Sequence, residues 1–183
     1  MSLGKWKKIE NEEIYQCGKF YRIRKDKIMT PGGKEGTYFV IDGESGSVII
    51  IPRDKDNNFH LTKQHRYPVE NFSIEFPAGS TDAGESDLDA AKRELREEMN
   101  LVSNNWERVG EFYIAEGISS IKFNVYLASD VYNAEGESKD PIDKNLHESI
   151  KVSLEDIKDM IRKGEINAGP TISAVTLYGL LQN

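Results

Sequence analysis

The chain has 183 residues, 38% hydrophobic and 30% charged, which suits a soluble protein of one domain, or one domain with a small appendage. Its net charge of −7 argues against a nucleic-acid polymer as partner, because binding to phosphate backbones needs clustered lysine and arginine. The single Cys17 excludes an internal disulfide and a cysteine-based zinc site, and without an apolar stretch of about 18 residues we expect no secretion, no membrane insertion and a cytoplasmic location.

The N-terminal region is predicted to form an antiparallel β-hairpin. Lys19–Met29 alternates polar and apolar side chains, TPGGKEG supplies a turn, and Thr37–Ile41 returns. We expect residues 1–42 to form this hairpin region and residues 43–183 to form the main domain.

The main domain begins with strand patterns. Ser47–Pro52 is a short apolar run typical of a strand buried on both faces, and Phe59–Tyr67 alternates. Ser73–Gly79 is predicted as one strand, ended by its proline and glycine. Two later strands are predicted at Glu107–Ala115 and Lys122–Val131.

Three helices are predicted among these strands. The first has Ser86 as N-cap and Asn100 as its end, because asparagine tolerates the left-handed conformation there. The other two are SLEDIKDMIRKG and GPTISAVTLYGLLQ, and a polar loop is expected at YNAEGESKDPIDKN. Helices interspersed with strands indicate an α/β fold with a mixed sheet covered by helices.

Three glutamates on the first helix point to metal binding. At 3.6 residues per turn, Glu94, Glu97 and Glu98 share one face next to the buried side of the helix. Two carboxylates 5–6 Å apart repel by roughly 3 kcal/mol at an effective dielectric near 20. A divalent cation such as Mg²⁺ turns that repulsion into attraction. The alternative is a solvated acidic face, partly neutralised by Arg93.

The surrounding pattern resembles the Nudix hydrolase box, in which a glycine and a glutamate precede the sequence Arg-Glu-apolar-x-Glu-Glu-x-Gly-apolar. The matching residues are Gly79, Glu85, Arg93, Glu94, Leu95, Glu97, Glu98 and Leu101, and only the last glycine differs, being Asn100. The resemblance implies a mixed β-sheet sandwiched between helices (α/β/α), with an N-terminal antiparallel sheet.

The resemblance also implies roles for the residues of this box. Glu94, Glu97 and Glu98 would hold Mg²⁺, with Mn²⁺ as a possible substitute. Arg93 would position Glu94 for catalysis, and the backbone at Ala78 would add a carbonyl ligand. Glu85 would be structural.

A second motif resembles the branch of ADP-ribose and nucleoside-diphosphate-sugar pyrophosphatases. In KQHRYPVE and IEFPAG, the resemblance implies that Arg66 contacts the substrate and that Glu75 lies near the site. An arginine fork also suits diphosphate oxygens. The alternative for Arg66 is a surface charge on an edge strand. Glu116 replaces a proline that marks ADP-ribose enzymes of this branch.

The catalytic base is the main departure from this branch. Two acidic residues bracket one position there, one as base and one as metal ligand. Here Leu146 occupies the first position and Glu148 the second. A leucine cannot accept a proton. Our hypothesis is that Glu148, which also matches a metal ligand, or one of the helix glutamates activates water, and that His147 is incidental.

The expected function is Mg²⁺-dependent hydrolysis of a nucleoside diphosphate sugar, foremost ADP-ribose to AMP and ribose 5-phosphate. Alternatives are another substrate such as a GDP- or UDP-sugar, and a Nudix-fold sensor that binds nucleotide without cleaving it. The resemblance further implies a homodimer, formed through the hairpin of Lys19–Ile41.

Overall fold

The computed structural model describes residues 3–18, 21–43, 46–136 and 147–181. Its backbone forms two compact units, an N-terminal unit (Met1–Gly46 with Tyr113–Lys122) and a larger unit (Ser47–Phe112 with Phe123–Asn183). The sequence did not indicate that Tyr113–Lys122 groups with the N-terminal strands, since this depends on tertiary contacts such as the hydrogen bond from Ile41 N to Ile118 O. The division into domains 1–42 and 43–183 stays a prediction.

The described residues contain the following elements. The strands are β1 (Lys7–Cys17), β2 (Tyr21–Met29), β3 (Glu35–Gly43), β4 (Ser47–Arg53), β5 (Phe59–Arg66), β6 (Asn71–Glu75), β7 (Ala78–Ser80), β8 (Leu101–Val102), β9 (Asn105–Tyr113), β10 (Lys122–Ser129), β11 (Tyr132–Asn133) and β12 (His147–Val152). The helices are α1 (Asp87–Met99), α2 (Leu154–Arg162) and α3 (Gly169–Leu181).

The N-terminal unit contains an antiparallel sheet in the order β1-β2-β3. The β2–β3 pair confirms the predicted hairpin over its described residues, and Gly33 takes the left-handed conformation (φ 82°) that its turn requires. Residues 19 and 20 of the predicted hairpin lie outside the described residues. Strand β1 was missed because its sequence, KKIENEEIYQC, is mostly polar and has no strict alternation.

The larger unit is built on a seven-stranded mixed sheet. Its main order is β12-β5-β4-β10-β9, while β6 pairs with β5 and β7 pairs with β4. Strand β4 runs parallel to β10 and antiparallel to β5 and β7. The predicted α/β class and mixed sheet are confirmed.

Apolar clusters cover both faces of this sheet. On one face, Val48 and Ile50 pack with Ala91 and Leu95 of α1. On the other, Ile49 and Ile51 of the same strand pack with residues of α2 and α3, among them Ile157 and Ala174. Alternate residues of a strand point to opposite faces, so the apolar run 48–52 within β4 serves both clusters, and the α/β/α arrangement is confirmed.

Two strand predictions need correction. The segment predicted as one strand, Ser73–Gly79, is split into β6 and β7, because Pro77 has no N–H to continue the ladder. Its carbonyl instead accepts from Ile50 N at 2.9 Å, and the chain passes from β5 to β4. Strand β12 was not predicted. Much of the polar segment before it, residues 137–146, lies outside the described residues.

None of the helices in the described ranges has the length and apolar character needed to cross a bilayer. The cytoplasmic location expected from the sequence stays a prediction.

Candidate active site

Helix α1 has defined ends, and these fix the direction in which its glutamates point. The Ser86 side chain accepts from Asp89 N at 3.1 Å. Asn100 adopts the left-handed conformation (φ 52°), and its N–H donates to Arg96 O at 3.0 Å. Both predicted helix ends are confirmed, and asparagine replaces the glycine of the Nudix box without loss of the C-terminal turn.

Arg93 connects the acidic side chains around α1. Its Nε and Nη2 donate to the two oxygens of Glu85, at 3.0 and 2.9 Å. Its Nη1 donates to Glu94 at 2.7 Å and to Glu97 at 3.2 Å, and Nη2 also donates to the carbonyl of Ser80 at 2.8 Å. The hydrogen bonds to Glu85, followed by those to Glu94, raise the pKa of Arg93 further above its ordinary value although burial opposes them. Glu85 thus fixes the arginine that holds the other two glutamates.

Glu98 has a buried carboxylate whose charge is poorly balanced. Burial, and then the negative charge of Glu94, raise its pKa to about 8, although the N–H of Ala78 and the charge of Arg66 oppose this. Its Oε2 is buried and has no hydrogen-bond partner among the described residues. Such an atom needs a proton or a cation.

Gly79 lets the backbone of β7 approach Glu94 closely. A Cβ built on Gly79 would lie 2.0 Å from Glu94 Oε1 and 2.1 Å from the carboxyl carbon. No side chain fits there while Glu94 keeps its position. Because Gly79 pairs with Val48 of the central strand β4, the sheet holds this backbone in place.

The donor set suits a hard divalent cation, but it needs one rearrangement. No group of three acidic, histidine or cysteine side chains in the described ranges is already arranged to hold a metal, and Arg93 Nη1 lies against Glu94 and Glu97. Three features fit Mg²⁺ or Mn²⁺: the Glu98 oxygen that has no partner in the described part of the chain, the pKa of Glu94 raised by burial, and the carboxylate chemistry.

Arg66 and Glu75 form an ion pair beside this cluster. Arg66 Nε donates to both oxygens of Glu75, at 3.1 and 3.2 Å. Burial would raise the pKa of Glu75, but hydrogen bonds from Arg66 and Ser73 outweigh it, and the pKa ends below its ordinary value. Glu98 lies close enough to Arg66 for its charge to raise the arginine's pKa. The structure therefore brings both predicted substrate residues next to the helix glutamates.

Glu148 is the predicted site residue that the structure does not bring to this cluster. It pairs with Lys63 of β5, whereas His147 pairs with Gln64, which is on the same face as Arg66. Glu148 therefore shares a face with Ile150, which packs on the α2–α3 side, and points away from α1. This register gives no support to Glu148 as base or metal ligand.

The sequence analysis treated His147 as incidental, yet it lies on the same face of the sheet as Arg66, towards the glutamate cluster. Burial, and then the charge of Arg66, lower its pKa, and its Nδ1 is buried with no partner among the described residues. The apolar residues Ile150 and Val152 indicate this placement of His147 already in the sequence. With these two facing the core, alternation places Glu148 with them and His147 opposite.

Comparison with known proteins agrees with this geometry. The family model described as NUDIX domain matches residues 44–174. The chain belongs to this family.

Two relatives and one solved structure show what this chain is similar to. An ADP-ribose pyrophosphatase of Mycobacterium tuberculosis (strain ATCC 25618 / H37Rv) is 33% identical over 120 residues, 65% of this chain and 58% of that protein. One of Bacillus subtilis (strain 168) is 26% identical over 169 residues, 92% and 90% of the two chains. A structure titled as an ADP compounds hydrolase superposes with a TM-score of 0.84 at 22% identity, over 99% of this chain and 96% of that one.

These matches confirm the predicted family and fold, and the protein is a Nudix hydrolase. The predicted branch is confirmed as well, since both relatives are named as ADP-ribose pyrophosphatases. Nudix hydrolases generally need a divalent metal, which agrees with the carboxylate oxygens that α1 provides.

We expect Glu98→Gln to stabilise the protein at alkaline pH in a chelator. The folded state keeps a proton up to about pH 8 that the unfolded chain releases near 4.5, so wild-type stability falls as pH rises between these values. A pKa difference of one unit corresponds to about 1.36 kcal/mol of stability, and solvent screening of the carboxyl group reduces this value. The variant should therefore gain about 2 to 4 kcal/mol in free energy of unfolding at pH 8 and little at pH 5. Urea unfolding with EDTA measures this. Exposed Glu107→Gln is the control, and an equal gain for Glu98→Gln at both pH values would contradict the explanation.

We expect Gly79→Ala to weaken divalent-cation binding without unfolding the protein. The added methyl group must displace the Glu94 carboxylate, which is the mobile end of its side chain. Calorimetry should show roughly tenfold weaker Mn²⁺ uptake, while the free energy of unfolding in EDTA changes by less than about 1 kcal/mol. The matched control is Gly32→Ala, where the methyl meets nothing within 4 Å. Unchanged Mn²⁺ uptake in Gly79→Ala would show that Glu94 does not bind the ion.

Proposed function

We propose that this Nudix hydrolase uses Mg²⁺ to hydrolyse the diphosphate linkage of a nucleoside diphosphate sugar, and that its main substrate is ADP-ribose, cleaved to AMP and ribose 5-phosphate. The observation that carries the proposal is the buried Glu98 Oε2 close to Glu94, which has no hydrogen-bond partner within the described ranges and suits a divalent cation. The names of the relatives from M. tuberculosis and B. subtilis support ADP-ribose.

In this proposal the carboxylates of α1 and the backbone of β7 hold the ion. Glu94, Glu97 and Glu98 contribute oxygens, and the Ala78 carbonyl is a further ligand. The N–H of Ala78 already lies against Glu98, which supports its place in the site. When bound, Mg²⁺ neutralises the diphosphate and lowers the pKa of a water molecule. Arg93 keeps its two bonds to Glu85 while its Nη1 gives up Glu94 and Glu97.

A helix glutamate is our candidate for the base that activates water. Glu97 has a side chain 26% exposed, against 13% for Glu94, so water reaches it more readily. Glu148 faces the other side of the sheet, which favours this choice over the alternative base. Glu97 would accept the proton as water attacks a phosphorus atom.

Arg66 is our candidate for binding the diphosphate. Its contacts with Glu75 use Nε and Nη2, so Nη1 can bind a phosphate oxygen while the ion pair is kept. Glu75 holds the guanidinium in one orientation, and this reduces the entropy lost when a substrate binds. Arginine suits this role because its planar donors match phosphate oxygens.

A second candidate substrate is a GDP- or UDP-sugar. Glu116 stands where ADP-ribose enzymes of this branch have a marker proline, and this departure favours a different sugar or base.

We expect hydrolysis of ADP-ribose with Mg²⁺, and a substrate panel tests this. ADP-ribose, GDP-mannose and UDP-glucose are incubated with the protein, and a phosphatase then releases inorganic phosphate from any monophosphate products. ADP-ribose should give the highest kcat/KM, and Glu97→Gln should lower kcat by roughly 100-fold or more. Glu107→Gln is the control.

Other outcomes of the panel identify the rival functions. A higher kcat/KM for GDP-mannose or UDP-glucose would replace ADP-ribose as substrate. Tight nucleotide binding without phosphate release would identify a sensor. A large loss of kcat in Glu148→Gln, with normal activity in Glu97→Gln, would return the role of base to Glu148.

We also propose a homodimer formed through the N-terminal sheet. Strand β1 is one of the two edge strands of that sheet, and ten of its eleven residues are exposed. The sheet also exposes apolar side chains, among them Ile14 at 50% and Phe39 at 57%. A long edge strand with so little burial gains from pairing with a second chain.

We expect light scattering at micromolar concentration to give about twice the chain mass of 20.7 kDa. Ile14→Lys should shift the protein towards the monomer, because it places a charge in the proposed contact. Leu180→Lys, on an exposed apolar position of α3, is the matched control and should leave the mass unchanged. A wild-type mass equal to one chain would contradict the dimer.

A further inference from the structure

A partly buried polar contact joins the first turn of α1 to the central sheet. Asn124 of β10 is 7% exposed, and its Nδ2 donates to Asp87 Oδ2 at 2.8 Å. The Asn124 Oδ1 accepts from Arg108 Nη2 of β9, also at 2.8 Å. Because Arg108 can only donate, it fixes the amide orientation and directs the amino group of Asn124 at Asp87.

Asp87 lies on the same line along α1 as two of the glutamates. At 100° per residue, Glu94 is about 20° from Asp87 around the helix axis and Glu98 is about 20° to the other side. A rotation of α1 that breaks the Asp87 contact would therefore also turn Glu94 and Glu98.

Near Asp87, the fully buried side chains of α1 are small, although Leu88 also packs against the same cluster and Leu95 is buried one turn later. The buried residues there are Ala90 and Ala91, both with 0% exposure. Their methyl groups allow α1 to lie close to the sheet, but they are too small to interdigitate as larger side chains do. A directional hydrogen bond in the first turn therefore adds an angular constraint to the packing of Leu88 and Leu95.

We propose that Asp87 and Asn124 are positioning residues that set the rotation of α1, so that Glu94 and Glu98 face the same divalent cation. This inference rests on the metal site of the proposed function. The competing explanation is an ordinary structural hydrogen bond, which supports folding and leaves cation affinity unchanged.

The test exchanges the two partners. Asn124→Asp places two carboxylates against each other. In the double variant Asp87→Asn/Asn124→Asp, the aspartate on β10 accepts from both the asparagine on α1 and Arg108, and the contact is restored with reversed polarity. The control is Asn105→Asp, which removes a more exposed bond of the same type and length, Asn105 Nδ2 to Asp130 Oδ2 at 2.8 Å, between β9 and the turn after β10.

Mn²⁺ binding to the whole chain is measured by calorimetry, and melting temperature is measured in EDTA. Asn124→Asp should bind Mn²⁺ roughly tenfold more weakly, the double variant should recover most of this loss, and Asn105→Asp should match wild type. If Asn124→Asp does not fold, Asp87→Ala replaces it, since it removes the acceptor without adding charge.

Two results would overturn the proposal. One is wild-type Mn²⁺ affinity in a folded Asn124→Asp or Asp87→Ala protein. The other is weak binding by a double variant that melts like wild type. Wild-type protein that binds Mn²⁺ but hydrolyses none of the panel substrates would refute the proposed reaction and leave this inference standing. Absence of Mn²⁺ uptake by wild type would refute both.

Discussion

The candidate site depends on carboxylates held close together at the edge of a buried helix. The charge of Glu94 raises the pKa of Glu98, the charges of Glu97 and Glu85 raise that of Glu94, and burial removes the water that would screen these repulsions. A protein surface normally relieves such crowding by turning side chains outwards. Here Gly79 brings backbone against Glu94, and Ala78 donates to Glu98, so both carboxylates are held inside. Without an ion, Glu98 keeps a proton up to about pH 8, and a divalent cation can take the place of that proton.

Arg93 partly neutralises the crowded carboxylates and leaves them close together. Its guanidinium bonds at once to Glu85, Glu94 and Glu97, and the two bonds to Glu85 alone would keep it in place. One edge of the arginine is therefore structural, while the other neutralises the carboxylates that we assign to the metal. The same separation applies at Arg66, where Glu75 orients one edge of the guanidinium. Each arginine has an acidic residue that holds it.

The sequence predicted those features that depend on local chemistry. Ser86 and Asn100 define the ends of α1 through contacts within four residues, and the apolar run of β4 identifies a strand buried on both faces. The face on which Glu148 lies follows from its alternation with Ile150 and Val152, but this could be used only once β12 was known to be a strand paired with β5. A motif read by position placed Glu148 with the metal, whereas a shift of one residue along a strand reverses the face. Strand β1 escaped prediction for a related reason, since its polar sequence is a strand only by pairing with β2.

The contact between Asp87 and Asn124 is a second feature that could not be predicted from the sequence. The two residues are 37 positions apart, and neither belongs to a recognisable motif. Only the parallel pairing of β10 with β4 places Asn124 beside Val48, whose other neighbour is Gly79. The sheet thus presents two fixed points to α1, a hydrogen-bond donor for its first turn and a close backbone for Glu94. A helix held at two such points has little freedom to rotate, and the direction of its carboxylates is then determined by the sheet as much as by the helix itself.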